Sequence, residues 1–260
     1  MKERIALATY SARHVLNEGD VGWTKLVDFM VEKSISNVEI NNVFVEPENF
    51  SKRVQLFTDK EITPIQLTID GNNFFQSKDA KRKNQFQFMK KWVDLAHAEG
   101  IPFIRANMGH SGGFLGKLLG RGTIESLEAT FRPILEYIEN LDMKFVFENH
   151  WGLSSNIDFQ LAVKERFPTP SFGYLLDCGN YRPHDIVYEN IEKLKDSILM
   201  VHVKTKDFDA ENSETNLDYE RILGQLREIG YDGYLSIEFE GNLPDFEGIE
   251  KTLAMLNKFL

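Results

Sequence analysis

The segment Phe145-Val-Phe-Glu148-Asn-His150 has the composition of a buried β-strand that ends in charged side chains, and three later segments repeat this design. They are Tyr174-Leu-Leu-Asp177-Cys-Gly-Asn180, Met200-Val-His202-Val-Lys204 and Leu235-Ser-Ile-Glu238-Phe-Glu240-Gly241. Carboxylate and imidazole groups at the ends of apolar strands are costly unless a cation meets them, because unpaired buried charges are strongly disfavoured. The pattern therefore predicts a divalent metal near these four strand ends.

The spacing of these residues indicates how the strands are arranged. Glu148, Asp177, His202 and Glu238 follow one another at intervals of 29, 25 and 36 residues. Each interval holds one strand, one helix and two loops, so the four side chains recur once per βα unit. Side chains from several parallel strands of a barrel converge when all lie at the carboxyl ends, where the active sites of such barrels are found.

Eight strand-like segments alternate with segments of helical periodicity along the 260 residues. The expected strands are Ile5–Tyr10, Asn37–Asn41, Thr63–Ile69, Phe103–Asn107, Lys144–Asn149, Ser171–Leu176, Leu199–Lys204 and Tyr234–Glu240. The clearest helices are expected at Lys78–Glu99, Thr123–Leu141, Leu217–Ile229 and Phe246–Leu260, and Pro133 is expected to bend or break the second of them. Eight alternations predict an α/β fold, a single (β/α)8 TIM barrel domain over residues 1–260, rather than a doubly wound open sheet.

Strand alternation predicts which side chains share the barrel interior, because residues two apart on a strand lie on one face. The expected inward sets are Val146, Glu148 and His150; Met200, His202 and Lys204; and Ser236, Glu238 and Glu240. The intervening positions are mostly apolar, as an interface with surrounding helices requires.

Composition narrows the class of protein. Lys and Arg number 30 against 40 Asp and Glu, and this net charge of −10 weighs against nucleic-acid binding, which relies on basic side chains. Cys178 is the single cysteine, which excludes an intrachain disulfide and fits a cytoplasmic protein. The N-terminus has no long apolar run, so neither a signal peptide nor a membrane span is expected. The sequence is compatible with a homo-oligomer.

The four segments resemble the sugar phosphate isomerase/epimerase family with the xylose-isomerase-like barrel, which includes ketose 3-epimerases, inosose dehydratases and, more distantly, endonuclease IV. The matching stretches are Glu148-Asn-His-Trp-Gly152, Leu176-Asp-Cys-Gly-Asn180, Val201-His-Val-Lys204 and Gly233-Tyr-Leu-Ser-Ile-Glu238-Phe-Glu-Gly241. The resemblance implies that Glu148, Asp177, His202 and Glu238 coordinate one divalent metal, and that the two glutamates also act as catalytic acid and base. Many relatives have a histidine where this chain has Asn180.

The resemblance implies a divalent-metal-dependent isomerase or epimerase that acts on a sugar, sugar phosphate or polyol by proton transfer next to a carbonyl. A dehydratase of the inosose type on the same site is the alternative. Three carboxylates and one imidazole suit Mn²⁺, Mg²⁺ or Co²⁺ at least as well as Zn²⁺. An abasic-site endonuclease would need further histidines and a basic groove, whereas this chain has 6 His and a net charge of −10. A barrel that simply binds a sugar would keep its binding after chelation.

Several other side chains are candidates for the site. His150, Lys204 and Asn180 are the expected substrate contacts, although Lys204 is also compatible with a rim position, and Glu240 is an alternative metal ligand to Glu238. Each of the remaining candidates could take part in the site or could have an ordinary structural or solvent-exposed position. These candidates are His14, Gln66, Arg105, Trp23 and Trp151. The glycine-rich segment Gly109–Gly116 is expected to form a lid over the site.

Overall fold

Eight parallel strands close into a barrel in the computed structural model, which describes residues 2–112 and 122–260. The strands are β1 (Ile5–Ala8), β2 (Asn37–Asn41), β3 (Thr63–Ile69), β4 (Phe103–Ala106), β5 (Lys144–Glu148), β6 (Phe172–Asp177), β7 (Ile198–Thr205) and β8 (Tyr234–Phe239). Each strand pairs with the next one along the chain, and β8 pairs with β1. The predicted (β/α)8 TIM barrel is confirmed.

The described helices cover the outside of the barrel. They are α1 (Arg13–Leu16), α2 (Asp20–Glu32), α3 (Phe50–Thr58), α4 (Asp79–Ala98), α5 (Ile124–Glu139), α6 (Ile157–Arg166), α7 (Ile186–Leu194), α8 (Tyr219–Glu228) and α9 (Asp245–Phe259). The helix α5 runs through Pro133 without interruption, so the predicted break is absent there. None of the helices in the described ranges is both long and apolar enough to cross a membrane.

The strand alternation expected from the sequence is present in β5. Val146 lies in a small apolar cluster with Ala6, Ile65, Leu175 and Met200. Phe145 and Phe147 point the other way and pack on Phe131 of α5, with ring centroids 4.7 and 4.6 Å apart. The polar ends of the strands therefore lie above an apolar plug inside the barrel.

The predicted bounds of β2 and β3 are confirmed, whereas the other strands differ from the prediction by one or two residues at one end or both. The first strand ends at Ala8 rather than Tyr10, because Thr9–Ala12 forms a turn of 3₁₀-helix. The strand β6 extends to Asp177, one residue further than predicted, and Asp177 pairs with His202 on β7. The register between β2 and β3 shifts between Val38 and Glu39, because β3 has one extra residue, Ile65, between their partners Pro64 and Gln66.

Candidate metal centre

Four side chains from consecutive strands converge at the carboxyl end of the barrel. Glu148 ends β5, Asp177 ends β6, His202 lies in β7 and Glu238 lies in β8. One potential ligand atom from each lies within 4.8 Å of those from the others. All four residues are buried. The topology explains this convergence, because every strand of the parallel barrel runs in the same direction and ends at the same opening.

One buried polar atom of each side chain makes no well-formed hydrogen bond with the described residues. These atoms are Glu148 Oε2, Asp177 Oδ2, His202 Nδ1 and Glu238 Oε2. The three carboxylate oxygens have ion-pair contacts with Arg105 or Lys204. Buried polar atoms are nearly always hydrogen-bonded in folded proteins, and a bound cation would give all four atoms a common partner. Three carboxylate oxygens and one imidazole nitrogen are a suitable donor set for a divalent cation.

Lys204 supplies positive charge to the same cluster. Its Nζ lies 3.1 Å from Asp177 Oδ2, 2.9 Å from Glu238 Oε2 and 3.2 Å from Glu240 Oε1. Burial disfavours the charged ammonium, but the three carboxylates outweigh burial and raise the pKa of Lys204 above its ordinary value. The lysine is therefore a buried cation and not the rim residue that the sequence also allowed.

Glu148 is surrounded by donors on the opposite side of the cluster. Arg105 forms an ion pair with Glu148 Oε2. Asn180 Nδ2 donates to Glu148 Oε1 at 2.8 Å, and His150 Nδ1 lies 3.2 Å from the same oxygen. Burial, together with the positive charges of Arg105 and Lys204, lowers the pKa of His150. His150 is accordingly neutral at physiological pH.

His202 is held from below by a carboxylate that the sequence reasoning did not single out. Its Nε2 lies 2.8 Å from Glu39 Oε2, while its Nδ1 faces the other members of the cluster. Burial would lower the pKa of His202, but Glu39 and Glu238 raise it well above its ordinary value. Burial pushes the pKa of Glu39 upward, yet the positive charge of His202 and the hydrogen bond from Thr68 bring it below its ordinary value.

A cavity of about 460 Å³ opens directly above the cluster. Glu238 and Glu240 form part of its floor, and Trp151, which is 67% exposed, forms part of its wall. Its polar lining includes Asn41, Asp70, Arg105, Asn107 and His150. Hydrogen bonds connect several of these groups: Asp70 Oδ1 accepts from Arg105 and from Asn107 at 3.2 Å each, and Asp70 Oδ2 accepts from Asn41 at 3.1 Å.

A second cavity of about 600 Å³ adjoins the first, and Trp151 and His150 line both. Gly109, His110 and Ser111, from the predicted lid segment, lie along this second cavity. Residues 113–116 of that segment are outside the described residues.

The remaining candidates from the sequence have mixed placements. Trp23 is buried in α2 and packs edge-on against Phe57, so it lies in the outer core and cannot offer a face to a ligand. His14 is exposed and bonds through Nδ1 to Asp245 at 2.8 Å. Gln66 is buried and donates to Thr68 within the same strand at 3.4 Å.

Four polar residues of the site were missed by the sequence reasoning, and a fifth was undervalued. Glu39, Asn41, Asp70 and Asn107 were not identified, while Arg105 was assigned mainly to a structural contact. A signal for Glu39 is present in Asn37-Val-Glu39-Ile-Asn41, where a charged residue interrupts an apolar strand, as in the four later segments. Asn41 and Asn107 are the last residues of predicted strands and Asp70 directly follows one, and such positions are shared by many residues of ordinary turns.

A closed parallel barrel with a buried cluster of three acids and one histidine at its carboxyl end defines the class of protein. Residues 37–259 match the xylose isomerase-like TIM barrel family, and the chain belongs to this family. The family expected from the four segments is thus confirmed.

Individual relatives are distant. The uncharacterized protein MJ1311 of Methanocaldococcus jannaschii is 29% identical over 121 residues, and the match spans 42% of this chain and 41% of that protein. A D-tagatose 3-epimerase-like protein superimposes with a TM-score of 0.77 at 17% identity, covering 98% of this chain and 96% of the other. The probable 3-DHS dehydratase AsbF from Bacillus anthracis gives a TM-score of 0.73 at 16% identity, with coverage of 98% and 99%. The TM-scores of the two solved structures establish a shared fold with this chain.

Proposed function

We propose that the protein is a divalent-metal-dependent isomerase or epimerase that transfers a proton next to the carbonyl of a sugar, sugar phosphate or polyol-derived ketone. The observation that supports this most strongly is the convergence at the strand ends of four buried ligand-type atoms, none of which makes a well-formed hydrogen bond with the described residues. Glu148, Asp177, His202 and Glu238 are the proposed ligands of one ion, which is Mn²⁺, Mg²⁺, Co²⁺ or Zn²⁺. When bound, such an ion would polarise the substrate carbonyl and make the adjacent C–H group more acidic.

Two carboxylates are the proposed proton carriers. Glu148 and Glu238 lie on opposite sides of the cluster, each paired with its own cation, Arg105 and Lys204 respectively. One glutamate accepts the proton from the carbon beside the carbonyl, and the other delivers a proton to the opposite face or to the neighbouring carbon. The first outcome is epimerisation and the second is isomerisation. Acid–base steps of this kind are worth about 10²–10⁴-fold in rate.

The side chains that line the cavity support the proposal that the substrate carries several hydroxyl groups. Asn41, Asp70 and Asn107 present amide and carboxylate groups to it, and such groups can bind hydroxyls as donors or acceptors. Trp151 adds a flat apolar face beside them, which suits the C–H side of a sugar ring.

The three residues that the sequence predicts as substrate contacts differ in whether they face the cavity or bond to the carboxylates of the cluster. His150 lines the cavity and is neutral, so it can donate to or accept from a substrate hydroxyl. Lys204 and Asn180 already contact carboxylates of the cluster, and Lys204 Nζ lies 3.2 Å from Asn180 Oδ1. A substrate contact by either residue stays a prediction, as does a cytoplasmic location.

Metal analysis tests the proposal. Purified protein that has been dialysed against Mn²⁺, Co²⁺, Mg²⁺ or Zn²⁺ is expected to hold one ion per chain. Asp177→Asn should weaken this binding, because the variant loses a charged ligand that is fully buried. A matched control is Asp94→Asn on the outer surface of α4, which should leave the ion content unchanged. Wild-type protein that takes up none of these ions would contradict the proposal.

A dehydratase on the same site is the second candidate, and one similar structure is named as a probable dehydratase. Both reactions begin with the same proton transfer, but a dehydratase then expels a β-hydroxyl group. Mass analysis of the product separates them, because dehydration lowers the mass by one water and isomerisation leaves the mass unchanged.

A further inference from the structure

Glu39 is a buried carboxylate directly below the candidate metal centre, and it belongs to β2, on the far side of the barrel from Glu148. Both of its oxygens have partners. Oε2 lies 2.8 Å from His202 Nε2 and accepts from Ser236 Oγ at 3.1 Å, and Oε1 accepts from Thr68 Oγ1 at 2.5 Å. Glu39 thus ties together three other strands, β3, β7 and β8.

These contacts fix the direction of the His202 ring. A carboxylate at this site accepts hydrogen bonds, so His202 Nε2 must carry a proton to bond with Glu39. His202 Nδ1 then points to the carboxylates of the cluster, 3.4 Å from Glu238 Oε2 and 3.7 Å from Asp177 Oδ2. A histidine whose Nε2 is protonated presents a lone pair at Nδ1 once that nitrogen is free of a proton.

We infer that Glu39 is a positioning residue that makes His202 a metal ligand through Nδ1. The inference rests on the proposed metal site and assigns a role there to a residue outside the ligand set. Glu39 is not itself a ligand in this arrangement, because the imidazole ring lies between it and the cluster and both its oxygens are occupied. A carboxylate bonded to the second nitrogen of a ligating histidine holds the ring and makes the ligand more basic.

The location of Glu39 in the strand supports this assignment. The pairing of β2 with β3 shifts register between Val38 and Glu39, and Glu39 pairs with Gln66 after the shift. By the alternation of side chains along β2, the Glu39 side chain faces the interior beside Thr68, whereas Val38 and Ile40 are buried in the outer core. A buried acid is costly without partners, and here hydroxyls and an imidazole supply them.

Glu39→Gln tests the inference. Glutamine keeps the length and can still accept from His202 Nε2, but it loses the negative charge. Removal of such an outer partner typically weakens metal affinity by about 10–100-fold. The dissociation constants of Zn²⁺ and Mn²⁺, measured by competition with a chromogenic chelator, should rise accordingly, while circular dichroism and the melting temperature of the metal-free variant report on folding.

The matched control is Glu214→Gln, which neutralises another buried acid. Glu214 accepts from the backbone of Asn216 and Leu217 at 2.6 and 2.7 Å and does not contact the cluster in the described ranges. This variant should bind Zn²⁺ and Mn²⁺ as tightly as the wild type. Equal affinity of Glu39→Gln and the wild type would overturn the role of Glu39 while leaving the metal site intact.

A spectroscopic readout on the wild type does not depend on any variant folding. Long-range ¹H–¹⁵N correlation spectra of Zn²⁺-loaded protein with ¹⁵N-labelled histidines should show His202 bound through Nδ1 and protonated at Nε2. The spectrum of the His202→Gln variant identifies the signal. A His202 bound through Nε2 would refute the inference, and a wild-type protein that binds neither ion would overturn the metal site and this inference together.

Discussion

Replacing Lys204 by methionine removes the cation from the cluster and keeps most of the side-chain stem. Lys204 Nζ lies within 3.2 Å of carboxylate oxygens of Asp177, Glu238 and Glu240. Both Lys204 and Asp177 are almost completely buried, and removal of one partner of a buried ion pair costs about 3–5 kcal/mol. We expect the free energy of unfolding of metal-free Lys204→Met to fall by that amount near neutral pH.

The decrease in the free energy of unfolding caused by Lys204→Met should depend on pH, in a direction that follows from the pKa of Glu238. Burial would raise the pKa of Glu238, but Lys204 and His202 hold it well below its ordinary value. A lowered pKa in the folded state gives stability that is present above the unfolded pKa of about 4.3 and is lost as the pH falls through the folded value. Without Lys204, this stabilisation of the ionised carboxylate is smaller. The difference between the two proteins should therefore be fully present at about pH 7 and should shrink as the pH falls to about pH 4.

Urea unfolding of the metal-free proteins at both pH values measures this difference. Lys206→Met is the matched control, because Lys206 is exposed and lies 3.7 Å from Glu240, so its removal should cost less than about 1 kcal/mol. Added Mn²⁺ should stabilise Lys204→Met more than the wild type, since the ion replaces the missing positive charge. A Lys204→Met protein within about 1 kcal/mol of the wild type at both pH values would refute the reasoning.

Three further predictions concern the acids, the outer core and the cavity wall. Glu148→Gln and Glu238→Gln should each lower turnover at least ~10²-fold while the proteins fold and retain some metal, whereas Glu240→Gln, nearer the rim, should keep most activity. A reversed order for Glu238 and Glu240 in steady-state rates would show that the wrong acid was assigned. Phe131→Ala should lower the free energy of unfolding by about 3–5 kcal/mol in a denaturant titration, because it empties a site packed with aromatic rings, and should leave metal affinity unchanged. Trp151→Ala should raise KM with little change in kcat or melting temperature, since this ring is mostly exposed at the cavity; a changed kcat with constant KM would contradict that role.

The barrel and the four converging side chains were predictable because their signals are local. The period of two along a strand places Glu148 on the same face as Val146, and the register of β5 bears this out. The spacing of one acid or histidine per βα unit then requires a common opening. The position of Asp177 at the opening was predicted correctly although the predicted strand stopped one residue early, since a boundary error of one residue leaves the side chain at the same end of the barrel.

The partners of these side chains were not predictable in the same way. Glu39 and His202 are far apart in sequence, and their contact depends on the closure of the barrel, which brings β2 and β7 to the same interior. Arg105 has the parity of an inward residue, but its pairing with Glu148 and Asp70 follows from the approach of β3, β4 and β5 at the opening. The placement of Trp23, by contrast, was predictable from the sequence. An aromatic residue at helical spacing is most often part of a core, and Trp23 is buried in one.

Deuterium incorporation tests the central claim most directly. Metal-loaded protein is incubated in D₂O with a panel of ketoses, aldoses and inososes, and the products are examined by NMR and mass spectrometry. We predict that deuterium enters the carbon next to the carbonyl of at least one sugar, and that chelation or Glu238→Gln abolishes the exchange. Protein with one bound ion per chain that exchanges no such proton in any member of the panel, or exchange that survives chelation, would contradict metal-dependent proton transfer as the function of this site.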